Sequence, residues 1–294
     1  MFQGQLMALA AALSCALSSY LYNRMGERLT SDMIGYVRML VAVPMGVFLV
    51  LVFEGSFPHG CSLETYLIAF ASGFIGFFLC DYCMFKAIVT LGARETSVIM
   101  TLNPAITAIM SLFLFSEKLS SNQVVGMIIT VCGVLLMVLG EKNGKGDKNA
   151  KVLKTGIICA FLAAFLQSVS DVSAKAALTD IPSVSTNMLR LLGGLGAWIV
   201  FGFSKRRDYL SQARTFRDWR YILMMLFSVL LGPVLGVTLT LGAMEIIPAG
   251  VVRSLSQTSP VFLIPVDLII GRKRISMLSL LGTFVSVAGV VLLF

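Results

Sequence analysis

Ionisable side chains interrupt several long apolar stretches of this 294-residue chain. A charge in the hydrocarbon core of a bilayer costs about 2.5–3.5 kcal/mol on insertion scales, so each such group needs a partner or a watery cavity. Asp171 and Lys175 are spaced i, i+4, which places both on one face of a helix close to Ser168 and Ser170. The two charges could neutralise each other as a structural pair, or they could line a cavity that receives a substrate.

Asp81 is the second candidate, because it lies well inside another apolar stretch. Tyr82 is its neighbour, and Lys86 follows one and a half helical turns later. An isolated carboxylate in a low-dielectric site could bind a proton or a cationic substrate. Alternatively, Asp81 pairs with Lys86 or with a basic residue of a neighbouring helix.

Polar residues also accompany two prolines in apolar stretches. Arg253 is followed by Gln257 and Ser259, at spacings that keep much of this polarity on one side of a helix, where the guanidinium could attract a carboxylate. Asn103 precedes Pro104, and a proline frees a carbonyl in the preceding turn that Asn103 or Gln257 could bind. Such kinks could form cavity walls and flexing points, or they could serve packing alone.

Arg38 and Arg190 stand near the starts of two other apolar stretches. Each could extend its side chain to phosphate headgroups. The alternative is a gating role, in which an ion pair closes one mouth of a transport pathway. For Arg38, the acidic partners suggested by the sequence are Glu27 and Asp32.

The sequence gives little indication of metal binding, catalysis or ATP hydrolysis. Cys80 and Cys83 have CxxC spacing, but they lie within an apolar stretch, and His59 is the one histidine of the chain, so we predict no metal site. Walker, HExxH, GxSxG and GxGxxG motifs do not occur. We predict no catalytic residues, no cofactor and no ATP-driven pumping. The net charge of +8 fits loops facing anionic lipid and requires no nucleic acid.

The elements that position these residues must be membrane-spanning helices. Hydrophobic residues make up 57% of the chain and charged residues 13%, which leaves too little polar surface for a soluble globule. Each apolar stretch has about twice the length of a transmembrane strand and does not alternate polar with apolar residues. The first stretch lacks a basic start and a cleavage site, so we interpret it as a retained helix. The predicted spans are 4–22, 34–53, 66–88, 95–115, 122–140, 155–178, 184–203, 221–244, 249–270 and 276–294.

The loops indicate the orientation. Residues 141–154 form the longest polar stretch and are predicted to be a cytoplasmic linker, whereas 204–220 mixes basic with aromatic residues and could lie in the headgroup layer. Most Lys and Arg residues of the loops fall on the same side of the membrane as the linker. By the positive-inside rule this side is cytoplasmic, and both termini are extracytoplasmic.

The sequence also repeats itself. A shift of 156 positions places residues 102–137 over 258–293 and aligns Pro104 with Pro260. The same shift aligns Gly126 with Gly282 and Gly133 with Gly289, while upstream a shift of 152 sets Arg38 over Arg190 and Asn23 over Lys175. Each unit holds five spans, and an odd number inserts the second copy upside down. We therefore predict an all-α membrane protein of ten transmembrane helices, built as two inverted five-helix repeats, 1–140 and 155–294.

Several short motifs carry a family resemblance. Leu91–Gly92–Ala93, Asn103–Pro104 and Ser116–Glu117–Lys118–Leu119, followed by a glycine-containing fifth helix, resemble the EamA-type transporters of the drug/metabolite transporter superfamily. The resemblance implies a ten-helix exporter or exchanger of amino acids, nucleosides, sugars or other small metabolites with a central substrate cavity. The second half has 271–274, Gly-Arg-Lys-Arg, where the first has Glu117, so any role of that glutamate is asymmetric.

These observations predict a secondary transporter in the cytoplasmic membrane of a bacterial-type cell. It would export small metabolites such as amino acids, nucleosides or drug-like compounds by alternating access, with a proton or an exchanged substrate as the coupling species and membrane lipids as further partners. An intramembrane enzyme acting on a lipid-linked substrate is the alternative. Such an enzyme would need catalytic groups clustered at one membrane face, whereas the candidates here scatter between both.

Overall fold

The computed structural model describes residues 2–91, 93–117, 119–140, 150–204, 212, 215–216, 218–259, 261–262 and 277–293. All regular secondary structure within these described ranges is helical. The helices are α1 (Phe2–Met25), α2 (Ser31–Phe53), α3 (Leu63–Phe74), α4 (Asp81–Thr90), α5 (Ala93–Met100), α6 (Asn103–Phe115), α7 (Ser121–Gly140), α8 (Ala150–Ala177), α9 (Ser183–Ser204), α10 (Trp219–Val229), α11 (Val237–Ile246), α12 (Ala249–Ser256) and α13 (Met277–Leu293). Short π-helical segments, Ile75–Cys80 and Leu230–Gly236, join α3 to α4 and α10 to α11.

Six of these helical stretches are long and apolar enough to cross a bilayer: Phe2–Met25, Ser31–Phe53, Leu63–Thr90, Lys154–Ala177, Ser183–Phe203 and Trp219–Ile246. Shorter apolar helices cover Asn103–Phe115, Ser121–Leu136 and Leu280–Leu292. Many large apolar side chains face outward, as lipid contact requires. The predicted all-α membrane class is confirmed, whereas the ten inverted spans stay a prediction.

Two predicted spans differ in their interior. The span 95–115 is broken by a turn at Thr101 and Leu102, and Pro104 is the second residue of α6. At this position the missing N–H of proline leaves no hydrogen bond unmade, so Pro104 starts a helix rather than kinking one. In the span 249–270, α12 ends at Ser256, and Pro260 lies outside the described residues. The helix α8 begins at Ala150, inside the predicted linker.

Serine hydrogen bonds join the two halves in a reciprocal way. Ser18 Oγ in α1 donates to the Ser228 carbonyl in α10 over 2.7 Å, and Ser170 Oγ in α8 donates to the Ser72 carbonyl in α3 over 2.7 Å. The sequence shift of 152 takes Ser18 to Ser170, and the shift of 156 takes Ser72 to Ser228. Helix α1 therefore contacts the second half as α8 contacts the first.

Glycines pack α7 against α13 with the same reciprocity. A Cβ atom on Gly133 would stand 2.8 Å from the carbonyl oxygen of Gly282, and one on Gly289 would stand 2.9 Å from that of Gly126. Since the earlier glycine of each helix faces the later glycine of the other, the helices run antiparallel. Small residues permit this close approach of two backbones.

The helix α9 supplies hydrogen-bond donors to both π-helical segments. Trp198 Nε1, on a fully buried side chain, donates to the Phe77 carbonyl over 2.7 Å. Asn187 Nδ2 donates to the carbonyls of Pro233 and Val234 over 2.9 and 3.2 Å. A π-helical turn or an internal proline frees carbonyls that a neighbouring helix must bind. Because Phe77 and Pro233 are related by the shift of 156, α9 stabilises equivalent points of the two halves.

Candidate functional site

Asp171 is the centre of a buried polar cluster. Its side chain in α8 is fully buried and forms an ion pair with Arg253 of α12. Gln167, one turn earlier, donates to the same carboxylate oxygen, Oδ1, over 3.0 Å. The predicted neutralisation of Asp171 by Lys175 is therefore wrong: the carboxylate contacts another helix instead of its i+4 neighbour.

Lys175 pairs with Glu117, the carboxylate that follows α6. Glu117 also accepts a hydrogen bond from the backbone N–H of Ala249, the first residue of α12, over 3.1 Å. One carboxylate thus connects the end of α6 to α8 and α12, two helices of the other half. The position of a carboxylate at a helix N-terminus is also favourable electrostatically.

Arg38 and Asp81 form the second buried ion pair, between α2 and α4. The guanidinium also lies over the ring of Tyr22, with 5.9 Å between Cζ and the ring centroid. The predicted partners Glu27 and Asp32 are wrong, and so is an extension of Arg38 to headgroups. Of the alternatives for Asp81, the structure selects a basic residue of a neighbouring helix rather than Lys86.

Arg190 lies in the interior, with only 2% of its surface exposed. This burial contradicts the predicted extension of its side chain to headgroups. Its guanidinium donates to Ser170 Oγ over 3.0 Å, lies 5.3 Å from the Phe77 ring centroid and interacts electrostatically with Asp171 and Arg253. Among the described residues it forms no ion pair of its own. The carboxylate of Asp171 therefore interacts with two guanidiniums, that of the buried Arg190 and that of the partly buried Arg253.

Asn103 and Gln257 lie at two helix breaks, the one between α5 and α6 and the one after α12. Asn103 Nδ2 donates to Ser168 Oγ over 3.0 Å, which ties the start of α6 to α8. Gln257 Nε2, just beyond α12, donates to the Met100 carbonyl at the end of α5 over 3.3 Å. The predicted hydrogen bonding near the prolines therefore takes the form of contacts between helices. The hydrogen bond of Gln257 therefore joins the break after α12 to the break after α5. These breaks are at equivalent positions, since the shift of 156 takes position 101 to 257.

Tyr82 and Lys86 do not join the buried cluster. Both side chains are exposed, and the Tyr82 ring packs on Phe201 of α9 with 5.6 Å between the centroids. In contrast, the neighbouring Asp81 is buried and faces α2. Adjacent residues of one helix thus point in different directions, as helical geometry requires.

Further polar contacts were not predicted from the sequence. Gln167 could have been found from its i−4 spacing to Asp171, whereas Asn187 carries no local signal of its contact with the π-helical segment Leu230–Gly236 and α11. Glu54, after α2, accepts hydrogen bonds from the backbone N–H of Ser185, over 3.2 Å, and from its hydroxyl. A cavity of about 500 Å³ opens beside it, between the ends of α2, α8 and α11, with Asp180 and Glu245 in its lining.

Buried ion pairs between apolar helices that can cross a bilayer define a polytopic α-helical membrane protein. The sequence profile of the EamA-like transporter family matches residues 2–139 and 154–294, and the chain belongs to this family, which is part of the drug/metabolite transporter superfamily. The protein is therefore a membrane transporter.

Individual relatives agree with this assignment. The chain is 23% identical over 289 residues to the uncharacterized transporter YetK of Bacillus subtilis (strain 168), and the match covers 98% of this chain and 86% of the relative. A solved structure described as the crystal structure of a protein aligns with a TM-score of 0.77 at 16% identity. This alignment covers 98% of the present chain and 95% of the other, and it shows the fold alone.

Proposed function

We propose that the protein is a secondary exporter of small metabolites, such as amino acids, nucleosides or drug-like compounds, working by alternating access. The halves 1–140 and 155–294 would lie inverted in the cytoplasmic membrane, joined by a cytoplasmic linker, with both termini outside. The observation that carries the proposal is the reciprocal pair of hydrogen bonds from Ser18 to Ser228 and from Ser170 to Ser72. Equivalent contacts allow the halves to exchange conformations, which opens a midplane site to each side in turn.

The buried ion pairs lie near opposite ends of the proposed pathway. Arg38 lies seven residues after the start of α2, the end that we predict to be cytoplasmic. Asp171 lies six residues before the end of α8, the end that we predict to be outside, and its partner Arg253 lies in the last turn of α12. At about 1.5 Å per residue, Arg38 and Asp171 each lie about 10 Å inside the stated end of their helix. We assign Arg38 and Arg190 to gating, and Asp171, Lys175, Arg253, Asn103 and Gln257 to the substrate pathway.

A buried excess of positive charge favours an anionic group on the substrate. Arg190 and Arg253 share Asp171, so one cation of this cluster lacks a matching carboxylate among the described residues. An uncompensated buried charge is costly, and a substrate carboxylate would remove that cost. Amino acids carry such a group, whereas uncharged nucleosides do not.

Transport can be tested with purified protein in vesicles. We expect uptake of at least one of leucine, uridine and ethidium, which represent the three proposed classes, above that of protein-free vesicles. Folded protein that moves none of the three would contradict the proposed substrate range.

For the coupling to protons, the transport rates of Asp81→Asn and Asp171→Asn should each be compared with that of the exposed Glu64→Gln. A response to an imposed pH gradient that neither Asp variant changes would remove both carboxylates as proton carriers.

The inverted arrangement has its own test. In a variant whose only thiols are Cys61 and a cysteine replacing Thr179, both loops should react with a membrane-impermeant reagent added to the outside of whole cells. A cysteine placed at 145, in the linker, should be protected there. Reaction of Cys61 and the 179 cysteine on opposite sides of the membrane would contradict the inverted topology, whatever the result of the uptake assay.

A further inference from the structure

A row of ring-bearing side chains follows one face of the third membrane stretch and ends in a lysine. Phe70, Phe74, Phe78, Tyr82 and Lys86 recur every four residues. The rings of Phe74 and Phe78 lie 5.8 Å apart between centroids, and those of Phe78 and Tyr82 lie 6.4 Å apart. The row therefore continues through the π-helical segment without a gap. None of its residues belongs to the buried polar cluster around Asp171.

The three phenylalanines of this row form one wall of an outward-open groove of about 470 Å³ between α3 and α9. Phe70, Phe74 and Phe78 face Gly193, Gly196 and Val200 across it. The two glycines, Gly193 and Gly196, differ in how closely α3 approaches them. A Cβ atom on Gly193 would stand 3.0 Å from the Phe70 carbonyl carbon, so that glycine lets the helices touch, whereas at Gly196 the nearest atom would be 3.8 Å away. Gly196 thus leaves open space in the groove.

The groove and the lysine lie at different depths of the bilayer. The groove residues occupy the middle of the Leu63–Thr90 span and are apolar, as in the hydrocarbon core. Lys86 is four residues before the end of that span, at the end that we predict to be cytoplasmic. Its side chain is exposed and, among the described residues, forms no ion pair. A lysine at this depth reaches the phosphate layer of the membrane.

We propose that this surface binds an anionic phospholipid of the cytoplasmic leaflet. One acyl chain fills the groove between Phe70, Phe78 and Gly196, and the headgroup phosphate contacts Lys86, with the Tyr82 ring at the boundary between them. Lys86 follows Phe78 by eight residues in the same row, so a positive charge lies beyond the apolar groove, which matches an amphiphile with an anionic head. A helix of a second copy would leave Lys86 against an apolar surface, which is costly.

The experiment measures lipid binding to the purified full-length protein by native mass spectrometry and thermal unfolding in detergent. We expect phosphatidylglycerol to bind in preference to phosphatidylcholine of the same chains and to raise the unfolding temperature more. Lys86→Gln should weaken phosphatidylglycerol binding about fivefold, since one basic residue near the surface contributes about that factor. Gly196→Leu should weaken binding of both lipids because its side chain fills the groove.

Two matched variants separate this site from general effects. Lys154→Gln removes another exposed lysine, and Ala288→Leu adds the same leucine side chain to an exposed position of α13; both should bind lipid as the wild type does. Equal binding of the two lipids to the wild type would overturn the proposal. So would equal losses in Lys86→Gln and Lys154→Gln, full stabilisation by glycerol phosphate without acyl chains, or a dimer that Gly196→Leu dissociates with lipid binding unchanged. None of these results depends on the transport assay.

Discussion

The hydroxyl of Ser170 donates a hydrogen bond to the carbonyl of Ser72 over 2.7 Å, and this contact has a counterpart of the same length between Ser18 and Ser228. All four atoms belong to buried residues. The difference between the two contacts lies in their surroundings, because Ser170 Oγ also accepts from the Arg190 guanidinium. The equivalent contacts of the two halves are therefore similar in geometry but different in charge.

This difference predicts unequal costs for the two serines. Ser18→Ala should lower the free energy of unfolding by about 1 kcal/mol, the usual cost of one hydrogen bond. Ser170→Ala should cost about 2–3 kcal/mol, because it also leaves a buried guanidinium without its hydroxyl partner. Thermal or denaturant unfolding in detergent measures both, with the exposed Thr179→Ala as the control. Equal losses for the two serines would contradict the role given to Arg190.

Asp171 should matter more for stability than Asp81. Asp171→Asn leaves both Arg253 and Arg190 without a buried carboxylate, and breaking a buried pair costs about 3–5 kcal/mol. Asp81→Asn leaves only Arg38 uncompensated, so its cost should be smaller. Adding Arg253→Gln to Asp171→Asn should restore part of the stability, which unfolding of the double variant measures. A double variant as unstable as the sum of its parts would contradict the ion pair.

The contact between Lys175 and Glu117 should behave as a coupled pair. Both side chains are partly exposed, at 14% and 16%, so solvent weakens the interaction, and we expect a coupling energy of about 1–2 kcal/mol. A double-mutant cycle of Lys175→Gln and Glu117→Gln measures it. The Glu117 variant alone should cost more than the Lys175 variant, since it also replaces the charged acceptor of the Ala249 N–H with a neutral amide oxygen. Additive effects of the two changes would mean that the pair contributes nothing.

Two glycines of α9 offer a test of helix packing within one element. Gly193→Ala would place a Cβ against the Phe70 backbone, and relief of this clash requires α3 and α9 to separate, so we expect a loss of at least about 1–3 kcal/mol. Gly196→Ala meets only the tip of the Phe70 ring at 3.8 Å, and alanine is the better helix former by about 1 kcal/mol. Gly196→Ala should therefore be neutral or stabilising. Unfolding temperatures that rank the two variants in the opposite order would contradict the close approach of α3 and α9.

The local sequence does not predict where the helices are interrupted. Pro104 reads as a kink in a long apolar stretch, yet the chain breaks before it, because the Met100 carbonyl finds a donor in Gln257 from the other half. The π-helical segments likewise depend on Trp198 and Asn187, which lie more than a hundred and more than forty residues from the carbonyls that they bind. Such donors come from distant parts of the chain and leave no periodic signal near the break.

The sequence by itself determined the membrane-spanning class, six of the helical spans to within a few residues and the resemblance to EamA transporters. These features follow from composition and from the length of apolar stretches, which a bilayer constrains without any knowledge of packing. Only the tertiary structure decided the partners of the charges: Asp171 binds Arg253 instead of Lys175, and Asp81 binds Arg38 instead of Lys86. Residues four or five apart on a helix compete with side chains of neighbouring helices, and helix packing determines which of them come within reach.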